Sequence, residues 1–220
     1  MYTRWNLLKR RHMHPARSLF LMCIILIGFF GFSAYQRNRT WISELSLWSD
    51  TCKKTWNKAR VFDALGNAYE GNGMYDEAVG AYRKSISLDP RYIKPFNNLG
   101  YLYFNRGLND QAITHYLKAL DLFPGYAIAH NNIGNVYLRK GWHESAINHF
   151  ETAIRLKPDY AEAYLNLGNT YLKKKLYDSA LAQYKKALSV RPDYEKARRN
   201  IEAVSHLRYY GDRAEIELAY

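Results

Sequence analysis

Residues 97–124 read NNLGYLYFNRGLNDQAITHYLKALDLFP, and the same string with conservative changes returns three times. It precedes itself as DALGNAYEGNGMYDEAVGAYRKSISLDP at 63–90. It follows as NNIGNVYLRKGWHESAINHFETAIRLKP at 131–158 and as LNLGNTYLKKKLYDSALAQYKKALSVRP at 165–192. Gly66, Gly100, Gly134 and Gly168 keep one step; so do Ala78, Ala112, Ala146 and Ala180, Pro90, Pro124, Pro158 and Pro192, and Tyr69, Tyr103, Tyr137 and Tyr171. A fixed period of this length is the mark of a stacked repeat, each unit burying an apolar face only against its neighbours.

Each unit predicts two helices. Phe96, Leu99 and Tyr103 lie on one helical face, and Ile113, Tyr116 and Leu120 on another. Gly73, Gly107 and Gly141 fall between them, where a left-handed residue ends a helix. The prolines end each second helix, having no N–H to give. Gly66 and Ala78 are placed where the paired helices cross, with Leu65, Tyr69 and Tyr82 filling the space around the crossing.

These positions resemble the tetratricopeptide repeat (TPR) family, with repeats at 59–92, 93–126, 127–160 and 161–194. The resemblance implies an all-α fold, a right-handed TPR superhelix (α-α solenoid) whose first helices line a concave groove. Ser85 departs from the usual alanine. Lys175 stands in place of the turn glycine, so the last turn is expected to be looser. Residues 195–220 are expected to supply a solvating end helix, Ala197, Ile201 and Val204 inward, followed by a frayed tail.

Upstream, residues 18–35 read SLFLMCIILIGFFGFSAY without a charge, between Arg17 and Arg37. Eighteen residues of helix reach about 27 Å, enough for one transmembrane helix before the solenoid. A cleaved signal peptide is the competing reading, with Gly31, Ser33 and Ala34 near the cut. The apolar run exceeds the usual length and no A-x-A site follows, which favours retention. Seven of the 32 basic residues precede residue 40, with no acidic residue among them. The net charge of +12 therefore concentrates in the N-terminal segment 1–17 and the flank of the span, where it suits a membrane surface. The bias across the span places the N-terminus in the cytoplasm and the repeats in the periplasm or lumen. No basic stripe marks a folded face, so no nucleic acid is expected as partner.

Between span and repeats, 38–58 predicts an amphipathic linker or capping helix: Trp41, Leu45, Trp48 and Cys52 form its stripe. Trp48 lies one period before Tyr82, as if this were the second helix of a lost repeat. A helix lying at headgroup depth is the alternative. Arg39, Trp41, Leu47, Trp48, Asp50 and Thr51 resemble the junction in polytopic membrane TPR proteins related to O-mannosyltransferases, which implies an accessory or detached C-terminal portion of a membrane glycosyltransferase system. The catalytic membrane portion of such proteins is missing from this sequence, so no activity carries over.

Catalytic and metal chemistry finds no constellation in the sequence. No phosphate loop, HExxH or GxSxG string occurs, and Cys23 and Cys52 are poorly placed to pair. His115, His143 and His149 lack carboxylates at ligand spacing and read as solvated surface residues. The expectation is a non-enzymatic binding module without cofactor or metal. Its candidate site is the groove row Asn98, Asn132 and Asn166, flanked by Asn97 and Asn131, with Asn67, Asn135 and Asn169 three residues on. Asparagine both donates and accepts, so a ladder of it suits the backbone of an extended peptide, as in proteins resembling the O-GlcNAc transferase superhelix. Tyr101, Arg139 and Lys173, with Lys94 and Phe104, would add preference for acidic or aromatic segments. Asp63, Ile128 and Asn132 occupy the places where a carboxylate clamp needs cations, so chaperone C-termini are not expected to bind by that mode.

Overall fold

The computed structural model describes residues 44–55 and 57–218, with side chains to Leu207. The stretch 18–35 and Trp41 lie outside the described residues. Among those described, there are ten helices and no strand, and no helix is long and apolar enough to cross a membrane. The helices are α1 Glu44–Lys54, α2 Ala59–Gly71, α3 Tyr75–Leu88, α4 Lys94–Asn105, α5 Asn109–Leu122, α6 Ala127–Arg139, α7 His143–Leu156, α8 Ala161–Lys173, α9 Tyr177–Val190 and α10 Glu195–Leu218.

The repeat is built from local rules that act at the same offsets each time. Second helices stop at Leu88, Leu122, Leu156 and Val190, two residues ahead of each proline. The residue before proline is pushed out of the helical region. Asp89, Phe123, Lys157 and Arg191 are accordingly extended, with φ from −131° to −147°. The proline thus acts one residue earlier than its missing donor alone requires.

First helices end in a Schellman turn. Gly73 has φ 76°, and its N–H reaches Glu70 O at 2.9 Å while Met74 N–H reaches Tyr69 O at 2.9 Å. Gly107 and Gly141 repeat the geometry at φ 78°. Lys175 adopts φ 61° and the turn keeps both bonds, Lys175 N–H to Leu172 O and Leu176 N–H to Tyr171 O, each at 2.9 Å. The fourth turn is therefore as tight as the other three, contrary to the looser turn expected there. Two backbone bonds hold the left-handed lysine against a strain of about 1 kcal/mol.

Packing within a hairpin follows from one close approach. A Cβ on Gly100, Gly134 or Gly168 would sit 2.5–2.6 Å from the ring of Tyr116, Phe150 or Tyr184, and Gly66 faces Tyr82 in the same way. These four rings are 0–1% exposed. Each contributes about 4–6 kcal/mol of gross apolar burial. Ser85 takes its alanine position without loss: fully buried, its Oγ donates to Ala59 O at 2.7 Å and ties α3 to the start of α2.

The core runs through the stack without a break between units. One cluster joins Ala78 and Tyr82 to Leu99, Leu102, Tyr116, Ile133 and Val136, three repeats in a single apolar body. At one end α1 packs on α2, with Leu45, Trp48 and Cys52 against Val61, Phe62 and Leu65. At the other, Ala197 and Val204 of α10 are fully buried, with Ile201 beside them. The helix continues to Leu218, where a frayed tail was expected; no proline or left-handed turn interrupts 195–218. First helices of successive repeats touch (α2–α4, α4–α6, α6–α8), so their side is the inner side of the curve.

Candidate functional site

The inner face carries a ladder of amides that bond one another across the repeats. Asn132 Nδ2 donates to Asn97 Oδ1 and Asn166 Nδ2 to Asn131 Oδ1, both at 3.0 Å. Asn98 Nδ2 reaches Asp63 Oδ1 at 3.0 Å and Asn67 Oδ1 at 3.1 Å. Asn200, on the end helix, closes the series on Asn169 Oδ1 at 2.9 Å. Asn97 and Asn131 are 8% and 4% exposed, so they act as inward acceptors that join repeats rather than as open groove groups. Asn98, Asn132 and Asn166 are half-buried, and each keeps its Oδ1 free of any hydrogen bond among the described residues.

The second row is uneven, and the cause is one hydroxyl. Tyr82 Oη lies 2.7 Å from Asn67 Oδ1 and 2.9 Å from Glu70 Oε2, and Tyr184 Oη donates to Asn169 Oδ1 at 2.9 Å. Phe150 stands in the corresponding place of the third repeat and has no hydroxyl to give. Asn135 is left half-buried beside it, with neither amide group bonded among the described residues. Tyr101 takes the same position in the second repeat and is 47% exposed.

Arg139 and Lys173 are exposed at the turn ends of their helices. The Arg139 guanidinium lies 3.3 Å from the centre of the Phe104 ring and also donates to Phe104 O. Two groups expected to select a ligand's side chain thus engage each other. Lys173 makes no such contact.

A row that the asparagine reading passed over stands beside the ladder. Tyr92, Tyr126, Tyr160 and Tyr194 follow the prolines at the repeat period, so the spacing alone exposes them. Tyr92 Oη donates to Asp63 Oδ2 at 3.0 Å. Asp63 is 5% exposed; burial raises its pKa, while the bonds from Tyr92 and Asn98 and the nearby Lys94 pull it back. Burial raises the Tyr92 and Tyr160 phenols to about 12, aided by Asp63 and Glu162 respectively. Burial likewise raises Glu70. Asp63 and Glu70 thus place carboxyls on the first repeat, and Arg139 and Lys173 place cations at the turn ends of the third and fourth.

The histidines depart from the solvated surface expected of them. His115, His143 and His149 are all half-buried. His149 Nδ1 lies 3.2 Å from His130 Nδ1, and His130 Nε2 lies 3.2 Å from Pro124 O. The carbonyl only accepts, so His130 carries its proton on Nε2 and takes a bond from His149 Nδ1–H. His115 stacks on Tyr103 with ring centres 5.2 Å apart. No group of three or more metal-ligating side chains occurs among the described residues.

An inter-repeat curve with a polar inner face whose amides bond one another defines a helical repeat scaffold. The comparisons agree. Residues 93–159 and 126–193 match the family described as tetratricopeptide repeat, and 66–107 match one described as TPR repeat. Together these span more than half of the chain, which belongs to the tetratricopeptide repeat proteins. No curated protein matches the sequence. Among solved structures, MamA is 29% identical with TM-score 0.58, covering 69% of this chain and 89% of its own. TTC0263, a thermophilic TPR protein of Thermus thermophilus, is 24% identical with TM-score 0.66, covering 80% and 95%. YrrB, described as a TPR protein with an unusual peptide-binding site, is 22% identical with TM-score 0.56, covering 79% and 86%. At these identities the last two speak to the fold.

Proposed function

We propose that this chain is a membrane-anchored TPR scaffold that captures an extended protein segment along its inner groove. The observation that carries the reading is the pre-bonded ladder. Asn98, Asn132 and Asn166 are fixed by bonds to neighbouring repeats, so each presents an acceptor in a set direction before any ligand arrives. Ordering cost on binding falls accordingly. Asn135 and Tyr101 add groups that form no hydrogen bond among the described residues. A segment whose backbone runs past them would exchange its hydration for several fixed polar contacts.

Residues 18–35 supply the anchor in this reading, with the repeats on the periplasmic or lumenal side. Anchoring raises the local concentration of any partner at the same bilayer, so a modest groove affinity suffices. The relationship to a membrane glycosyltransferase system is a second reading, favoured by the junction residues Leu47, Trp48, Asp50 and Thr51. A polytopic reading frame ending just upstream would support it. In α1 these residues also serve local structure: Trp48 packs on the first hairpin and Thr51 Oγ1 bonds Leu47 O at 2.8 Å.

The test uses proximity labelling from the full chain in its own cell to identify segments, then titration of each synthetic segment into wild type and into Tyr101→Ala/Asn135→Ala. Neither side chain holds the fold together, so the variant keeps its thermal midpoint. A groove ligand should bind about tenfold more weakly to it. Equal affinity for every identified segment would remove the groove from the account.

A further inference from the structure

The intra-repeat turns form one edge of the solenoid, and its exposed apolar side chains lie in register. Leu108 is 42% exposed, Trp142 51% and Leu176 44%. A Schellman turn favours an apolar residue here, touching the tyrosine five residues earlier. That contact is present: the Trp142 and Tyr137 rings are 5.5 Å apart. It covers one side of the indole and leaves half of its surface open, which the turn does not require.

The third and fourth turns add cations. Arg139, Lys140, Lys173, Lys174 and Lys175 gather there against Glu144 and Asp178. Lys140 bonds Asp110 at 2.9 Å and lies 4.4 Å from the centre of the Trp142 ring, and Lys174 pairs with Glu144. Lys173 and Lys175 are exposed and form no salt bridge within the described chain. Aromatic and aliphatic tips between unpaired lysines match a lipid interface, where indole sits at headgroup depth and ammonium meets phosphate.

The path of the chain selects the same edge. A four-residue connection, 55–58, joins α1 to α2, and the two pack side by side, so they run antiparallel. Glu44 therefore lies on the side where α2 ends, the side of the turns. Only eight residues, 36–43, separate Glu44 from the apolar stretch ending at Tyr35. Fully extended they span about 28 Å. The opposite edge also exposes Leu122, Phe123 and Leu156, but Asp121, Asp159 and Asp193 stand there beside Lys157 and Arg191.

We propose that the third and fourth turns, through Trp142, Lys173, Lys175 and Leu176, rest on the anionic phospholipid surface of the membrane that holds residues 18–35. The contact rests on the anchor reading given above. It would fix the direction in which the groove opens relative to the bilayer.

The test places an environment-sensitive nitrobenzoxadiazole dye on the full chain at Leu176→Cys or, as control, at Phe123→Cys, each with Cys23→Ser and Cys52→Ala. The chains are reconstituted in phosphatidylcholine vesicles with and without phosphatidylglycerol, and alkaline carbonate extraction reads the anchor separately. Emission at 176 should rise severalfold in anionic vesicles, stay low at 123, and fall back in Lys173→Glu/Lys175→Glu. Carbonate-resistant chains with equal emission at both sites would overturn the contact and leave the anchor standing. Carbonate-extracted chains that keep the rise at 176 would support the contact and remove the anchor. Extraction together with no rise would overturn both.

Discussion

Asn132 donates its side-chain N–H to Asn97 Oδ1, 3.0 Å away and one repeat earlier. Asn97 is 8% exposed, so its carbonyl has little access to water and relies on this donor. Asn97→Ala removes the acceptor and leaves Asn132 half-solvated. A loss of about 1 kcal/mol is expected in urea unfolding. Asn97→Ala/Asn132→Ala should cost less than the two single variants together, by roughly 0.5–1 kcal/mol, because both singles remove the same bond. Strict additivity would mean that the amides do not couple the repeats.

Gly134 and Phe150 give a sharper case. A Cβ at 134 would lie 2.6 Å from Phe150 Cε1, and the ring is fully buried with nowhere to retreat. Gly134→Ala is expected to lower stability by about 1–3 kcal/mol through overpacking. Gly80 serves as the opposite: it is exposed in α3 and a Cβ there meets nothing within 4 Å. Gly80→Ala should raise stability by up to about 1 kcal/mol, since alanine loses less chain freedom in a helix. Opposite shifts in thermal midpoint for these two variants are the check.

Much of this architecture was legible because a period reports on backbone and core together. Gly66 and its copies, Ala78 and its copies and the prolines recur every 34 residues, since each hairpin repeats the same crossing and stop. The ladder was legible as a set of residues and not as a set of bonds. Asn97 to Asn132 and Asn131 to Asn166 are each 35 residues apart, one beyond the repeat, because adjacent first helices are offset along their axes. Columns drawn at the period place Asn97 beside Asn131 and miss that Asn97 meets Asn132 and Asn131 meets Asn166. The freedom of Asn135 traces to Phe150, a loss of one oxygen that reads as a conservative core change. His130 and His149 lie 19 residues apart on facing helices, a separation that no local pattern marks.

Asp63 should be replaceable at a gain. Burial raises its pKa, the bonds from Tyr92 and Asn98 oppose this, and the net direction is up. A carboxyl whose folded pKa lies above its unfolded value favours folding at low pH, and that contribution is lost as pH rises through the folded value. At pH 7 the ionised group therefore weighs against the fold. Asparagine fills the same position as Asn97 and Asn131 in the next two repeats. Asp63→Asn keeps an acceptor for Asn98 and offers Tyr92 Oη a donor. Stability at pH 7 is expected to rise by about 0.5 kcal/mol, the small size reflecting the bonds from Tyr92 and Asn98 that already offset burial of the charge. The gain should shrink on acidification, read as urea midpoints from pH 7 to pH 4.

The histidine pair sets the opposite slope. Burial lowers His149 to about 4, with His130 adding to the effect; burial also lowers His130, against its bond to Pro124 O, and Arg155 adds positive charge beside it. Tyr137 packs its ring on His149 from the same helix as His130, 5.3 Å between centres, and carries no charge that could offset a second proton. The unfolded chain binds protons near pH 6.5, so it takes up more than the folded chain between that value and about 4. Stability present above pH 6.5 is therefore lost as pH falls through this window, by about 1–2 kcal/mol once the partial exposure of the ring is allowed for. His130→Phe/His149→Gln places at these positions the residues that Phe96 and Gln183 already supply in the second and fourth repeats. That variant should show a flatter dependence of the urea midpoint between pH 6.5 and 4. An unchanged slope would mean that the two rings are free to take up protons in the folded state, and that the 3.2 Å contact does not persist in solution.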